Sequence, residues 1–467
     1  MLDLALIRAE PARVKAALGR RGVPPEAVQA VVDIDARWIA RLEVREALRH
    51  RRRRASEEIA LAKREARDTA DLERQARQVS DELAAVEAEV ADLESRRDRA
   101  LLDLPNLPMT DVPNEAQSPG GMPTPPLCGH APEAKTSMPT ENAPLACHPE
   151  SGAAAPFEPT AGAAGDPEST AGAPLWPKPF TPLAHWDLME ILGLAHTGGP
   201  APGRGFVTWR GRGARLVRAL IGFMLDLHTR EFGYEEVRAP VITRRAALTG
   251  SAHLPTLEGR MYAVDAAESD LFLAPRAEPH LANLHAGKVL DASALPLRLV
   301  SAGPAFRREA GSAGAAARGL LRLHEFDTVE LYTFCRPDQT VGELDRAVRA
   351  AEAILDRLEV PHRQRLRSAR DLSHAAAKTV GLGVQAPGMQ EWLCVAALST
   401  FTDYQARRTN TRFRDASGHA RLVHTVGGAA VALPRLIAAM LENGQEAGGA
   451  VRLPAALVPY MGGEASL

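Results

Sequence analysis

Phe306-Arg307-Arg308-Glu309 decides the reading of this chain, because one apolar run leads into it and another answers it downstream. Leu297-Arg298-Leu299-Val300 before it and Thr328-Val329-Glu330-Leu331-Tyr332 after it are rich in β-favouring residues, which predicts two strands with a charged connection between them. Leu271-Phe272-Leu273 and the extended run Glu235-Glu236-Val237-Arg238-Ala239-Pro240 predict further strands. Leu216, Leu220, Phe223 and Leu227 recur at helical spacing from 212 to 230, and Gly233-Tyr234 ends that helix. The helices are inserted at irregular intervals, so the pattern is α+β and not a repeating βαβ sheet.

The N-terminal part reads differently. Between Pro25 and Pro105 there is neither Gly nor Pro, and Ala, Leu, Glu, Arg and Val dominate, which permits long unbroken helices. Leu72, Ala76, Val79, Leu83, Val86, Val90 and Leu93 alternate steps of four and three, the seam of a coiled coil. Asp68-Thr69-Ala70-Asp71 offers capping groups just ahead of that seam, so a helical hairpin is expected. The partner helix carries Val28, Val31, Trp38 and Leu42 at its base and then turns basic at Arg45, Arg49, His50, Arg51, Arg52, Arg53 and Arg54. Such a run is either a solvated helical face or an arm that grips phosphates, since guanidinium groups match phosphate oxygens bidentately.

From about 105 to 180 the chain becomes rich in Pro, Gly, Ala, Ser and Thr, a composition that cannot bury enough apolar surface to order itself. Cys128, His130, Cys147 and His148 fall here, at a spacing that fits no compact zinc site. The 467 residues allow two or three domains, and 56 basic against 58 acidic residues leave any nucleic-acid affinity to local clustering. Four scattered cysteines suit a reducing compartment. The N-terminus has no signal-peptide run and no stretch is long enough to cross a bilayer, so a cytoplasmic location is expected.

A basic hairpin, a linker, and a helix ending in Gly233-Tyr234 before an extended run closed by Pro240 together resemble the seryl-tRNA synthetases. Stretches 216–237, 255–263, 306–330, 403–414 and 422–425 read like that family in order and near its spacing, and Leu104-Pro105-Asn106-Leu107-Pro108 resembles its hairpin exit. Only 114–178 falls outside the likeness. The resemblance implies a tRNA-binding helical hairpin over 1–104, a low-complexity linker over 105–180, and a class II antiparallel-sheet catalytic domain over 181–467. It implies a homodimer, built on the helix before Gly233 and the strand after it. Serine and ATP with Mg2+ are the implied substrates and cofactor, and the partner is a tRNA of serine type, gripped by Arg45, Arg49, Arg52 and Arg53. Arg307 would stabilise charge on the α-phosphate, Glu309 would contact the adenine side, Phe326 would stack on the base, and Arg435 would cover its other face or reach the γ-phosphate. Glu330 would hold the serine hydroxyl and Glu278 the amino acid, with Arg307 near its carboxylate.

The chain also departs from the family's text. Arg276 stands in Pro275-Arg276-Ala277-Glu278 where the family has threonine, bringing a permanent cation to the place of the substrate ammonium unless it pairs with Glu278 or Glu330. Cys394 and Ala397 stand where a glutamate and a serine engage ATP and its metal, and a thiol is a poor magnesium ligand. Glu391 could substitute only if the strand slipped by three residues. Gly427 and Ala429 replace the polar members of the third motif, and Ala315-Ala316-Ala317 the polar loop of the second. No metal ligand is retained. Three activities follow: the family's serine-tRNA ligase reaction; an impaired paralogue acting as an RNA-binding or regulatory dimer, toward which the departures weigh; or adenylation of another amino acid.

Overall fold

The computed structural model describes residues 1–114, 178–199, 203–265, 270–309 and 318–467. Cys128, His130, Cys147, His148 and Ala315 to Ala317 lie outside the described residues. Two compact units divide the chain, Met1–Leu107 and Pro108–Leu467.

The first unit is the expected hairpin. Leu4–Ala9 and Pro11–Gly19 are short helices, Pro25–Arg64 and Ala70–Asp103 the two long ones. Pro25 occupies the first turn, where its missing N–H costs nothing. Around the turn Ala66 takes a positive φ of 52°, and Asp68 accepts the Ala70 N–H at 2.9 Å, so the capping group is Asp68. Val79, Leu83, Val90 and Leu93 are buried along the seam, and Leu48 and Ala62 continue it through the basic stretch of the first helix. At the base the structure adds a device the apolar pattern does not announce. Buried Asp35 receives Arg8 at 2.6 and 2.8 Å and lies 3.6 Å from Arg97, whose guanidinium sits 4.3 Å over the Trp38 ring. A buried carboxylate needs such cations around it.

The second unit is built on a seven-stranded sheet. Its order is His362–Leu366, Lys378–Ala386, Glu391–Thr402, His424–Ala432, Glu325–Cys335, Leu297–Phe306, Glu235–Glu236. Six strands pair antiparallel, and the short Glu235–Glu236 strand adds to the edge in parallel. One face, carrying Val300, Val329, Leu331, Leu382, Val384, Ala396 and Leu398, forms the core with helices Gly211–Glu231, Thr340–Arg357 and Leu433–Gly444. Gly233, at φ +70°, ends the first of these helices as the sequence predicts, and the Tyr234 N–H returns to the His228 carbonyl at 3.2 Å.

Two buried histidines tie the layers together. His185 donates from Nδ1 to Glu442 at 2.9 Å and accepts the Leu320 N–H at 3.1 Å, while Glu442 also receives the N–H groups of His185, Gly388 and Met389. His228 donates from Nε2 to the Ala430 carbonyl at 2.9 Å, and its Nδ1 is buried without a partner. Burial therefore lowers the His228 pKa to about 4, although the Ala430 carbonyl opposes the shift. The unfolded chain takes up this proton near 6.5 and the folded chain only near 4, so stability is complete above 6.5 and falls as the pH drops through that window. A loss of about 2 kcal/mol from this residue is expected between pH 7.5 and pH 5 in urea titrations. His228→Gln, which keeps a donor for Ala430, should remove about 2 kcal/mol of the dependence, the remainder coming from His280, His285 and His424, which burial also lowers; a slope unchanged in that variant would place the effect elsewhere.

Candidate active site

Strand pairing selects the residues that face away from the core. Ser301 pairs with Glu330, Glu330 with Ala429, Ala429 with Ala397, Ala397 with Gly381, and Gly381 with Arg365. Directly paired residues share a face, so these six form one transverse row across the sheet. A neighbouring row holds Tyr332, Gly427, Ser399 and Thr379, and another holds Cys394, Gly383 and Arg363. Cys394 and Ala397 are three apart yet share this face, because the register shifts between Leu382 and Gly383 and the extra residue restores the parity. Glu391 pairs with Ala386 on the core side of the strand's exposed start, so it does not take the place of Cys394.

Glu330 is buried at the centre of this face and burial raises its pKa, against the opposing charges of Arg276 and Arg307 and with the charge of Glu278 adding to the rise. Arg276 Nε lies 2.8 Å from Glu330 Oε1, a charge contact without hydrogen-bond alignment, and its NH1 donates to Glu278 at 3.0 Å. The Glu278 N–H donates to Glu330 at 3.0 Å. Gln405 completes the cluster by donating to Glu278 at 2.8 Å and accepting from the Tyr332 hydroxyl at 2.7 Å and the Thr425 hydroxyl at 3.0 Å. Gln405, Tyr332 and Thr425 were not singled out from the sequence; only the polar Gln405 inside Asp403-Tyr404-Gln405-Ala406-Arg407-Arg408 hinted at them.

Arg307 directly follows the Leu297–Phe306 strand, and its N–H continues the ladder to the His324 carbonyl at 2.8 Å. Its guanidinium lies 5.3 Å over the Phe326 ring. Glu309 turns to Arg260, 3.2 Å away. Arg435, in the first turn of Leu433–Gly444, donates to the Cys394 carbonyl at 3.0 Å. Thus Arg307 lies over Phe326 and acts electrostatically on Glu330 further along the same strand, and Arg435 meets Cys394. At Gly428, φ is +150° and an added Cβ would come within 1.9 Å of the Ala397 carbonyl oxygen, so the third-motif glycine permits the close approach of two strands.

A six-stranded antiparallel sheet with an arginine at the end of its outermost strand and another on the helix after a central strand is the architecture of a class II aminoacyl-tRNA synthetase. A profile of the tRNA synthetase class II core domain (G, H, P, S and T) matches residues 262–444, and one of the seryl-tRNA synthetase N-terminal domain matches residues 1–108. A serine–tRNA ligase of Gemmatimonas aurantiaca is 37% identical over 473 aligned residues, covering 99% of each chain. One of Pelotomaculum thermopropionicum is 36% identical over 469, again covering 99% of each. The structure of seryl-tRNA synthetase from Pyrococcus horikoshii complexed with ATP aligns at a TM-score of 0.80 and 29% identity, over 100% of this chain and 99% of that one. The chain belongs to the seryl-tRNA synthetase family.

Arg276 holds two buried acids, and its removal leaves them facing each other. Arg276→Met should lower unfolding free energy by about 2–3 kcal/mol, and adding Glu330→Gln should recover at least half of it. A single variant as stable as the parent would mean that the cluster needs no cation.

Proposed function

We propose that this chain activates serine with ATP, releasing diphosphate, and passes the seryl group to a tRNA, releasing AMP. The observation that carries this reading is the placement of Arg307 over the Phe326 ring, within electrostatic reach of the buried acid Glu330. Attack of the serine carboxylate on the α-phosphorus builds negative charge that a fixed guanidinium stabilises, and a flat base stacks on Phe326. These residues, with Arg435, fit ATP. Magnesium fits poorly: Cys394, Ala397, Gly381 and Gly383 offer no hard side-chain oxygen, the Thr379 and Ser399 hydroxyls bond each other at 2.8 Å, and Glu278 and Glu330 are engaged with Arg276. ATP chemistry supplies the leaving group; the chain's own arginines orient the phosphates.

The hairpin is the proposed tRNA-binding domain over 1–104, joined by 105–180 to a catalytic domain over 181–467. Arg45 and Arg49 pair with Glu46, and Arg49 also with Glu87 at 2.8 Å, whereas no acidic side chain among the described residues pairs with exposed Arg52 or Arg53. We place the strongest phosphate contacts at Arg52 and Arg53. The exposed Glu235–Glu236 edge strand, with the helix before it, supports the homodimer, and a cytoplasmic setting follows from the reaction.

A second reading rests on Arg276. Held between Glu278 and Glu330, it stands where the serine ammonium and hydroxyl would be received, which favours a different substrate or a binding role. Serine-dependent exchange of diphosphate into ATP is the expected result, and Arg276→Thr, assayed where it remains folded, should raise it tenfold or more by opening the pocket. Exchange with another amino acid alone, or with none, sinks the serine reaction and leaves the second reading. For the arm, Arg52→Ala with Arg53→Ala should weaken tRNA binding and reduce the salt slope by about 1–2, more than Arg45→Ala with Arg49→Ala. Equal, negligible effects would identify the run as a solvated face.

A further inference from the structure

The face beside Cys394 has lost its hard donors and gained cations. Arg363 pairs with Gly383 and Arg365 with Gly381, so both side chains project over two positions that carry no side chain at all. The Arg367 N–H bonds the Thr379 carbonyl at 3.0 Å, which continues the same alternation, and Gln364 between them is exposed on the other face. These arginines are half-buried, and their places are fixed by packing: Arg363 lies 4.2 Å over the Trp392 ring, and Arg367 NH2 approaches the Cys394 sulfur at 3.6 Å. Arg435 reaches the Cys394 carbonyl at 3.0 Å from the helix side. The guanidinium groups of Arg363, Arg367 and Arg435, with Arg365 on the same face opposite Gly381, thus border a floor made of Gly381, Gly383, Cys394 and Ala397. Among the described residues no group of three or more His, Cys, Asp and Glu could hold a metal ion.

We propose that the polyphosphate of ATP is received on this floor by Arg363, Arg365, Arg367 and Arg435, with no divalent cation between phosphate and protein. The inference rests on the nucleotide-site reading above and sharpens it. A magnesium ion bound to phosphates brings positive charge that the protein must partly balance with carboxylates or hydroxyls. A guanidinium brings the same sign of charge with a rigid fork of donors that matches two phosphate oxygens at once. Glycine at both positions lets the arginines lie low on the sheet: Arg367 Nε is 3.9 Å from where a Gly381 Cβ would stand and Arg363 Cγ 4.0 Å from where a Gly383 Cβ would stand. The middle of the floor holds Cys394 and no carboxylate to repel the phosphates.

Calorimetric titration of the full-length chain with ATP and with AMP, each in EDTA and in millimolar Mg2+, tests this. ATP should bind within about threefold equally in the two conditions, and at least tenfold tighter than AMP in EDTA, because AMP lacks the β and γ groups. Arg365→Gln with Arg367→Gln should erase the preference for ATP and leave AMP affinity within about threefold. Cys394→Glu, placing a carboxylate on the floor, should weaken ATP in EDTA by about tenfold and restore a gain on adding Mg2+. ATP binding by the parent chain that falls more than tenfold in EDTA overturns the inference and leaves the nucleotide site standing. No binding of either nucleotide in any condition overturns both.

Discussion

Backbone pairing across six strands fixes the register of the sheet, and nearly everything chemical about the molecule depends on that register. Side chains of opposed residues share a face, so the row from Ser301 through Glu330, Ala429, Ala397 and Gly381 to Arg365 is determined as a set. The opposite face is committed with equal strictness to Val329, Leu331, Leu382, Ala396 and Leu398, which bury against three helices. A slip of one residue in any central strand would drive apolar side chains out and Glu330 into the core. The register shift between Leu382 and Gly383 resets the parity there and brings Cys394 onto the site face with Ala397.

Within that frame electrostatics select what the face can hold. Glu278 and Glu330 are close enough to repel each other, and burial already disfavours the ionised form of Glu330. Arg276 answers both by sitting between them. The arrangement leaves the acid pair closed by a resident guanidinium. On the far side of the face the balance is reversed, with arginines over glycines. One sheet surface therefore carries an acid pair closed by a cation at its centre and a cationic margin at its edge.

Much of this was legible in the chain. The heptad spacing of Val79, Leu83, Val90 and Leu93 gave the hairpin, since a seam repeats locally and each residue's neighbour is three or four positions away. Gly233, the strand runs and the Phe306-Arg307-Arg308-Glu309 turn marked the sheet-bearing unit for the same reason. Arg276 as a possible partner of Glu278 or Glu330 was readable too, because Glu278 lies two residues on. What escaped were groups whose partners are remote in sequence: Asp35 with Arg8 and Arg97, His185 with Glu442, His228 with Ala430, and Gln405 with Tyr332 and Glu278.

By itself the sequence determined the element types, the helical arm and the family, because periodicity, turn residues and motif spacing are properties of contiguous chain. Only the tertiary structure decided that Arg276 holds both acids at once, that Cys394 and not Glu391 faces the site, and that Arg363, Arg365 and Arg367 border it. Those outcomes turn on pairing register, one bulge and the closure of long loops, and a strand's faces have no meaning until its neighbours are in place.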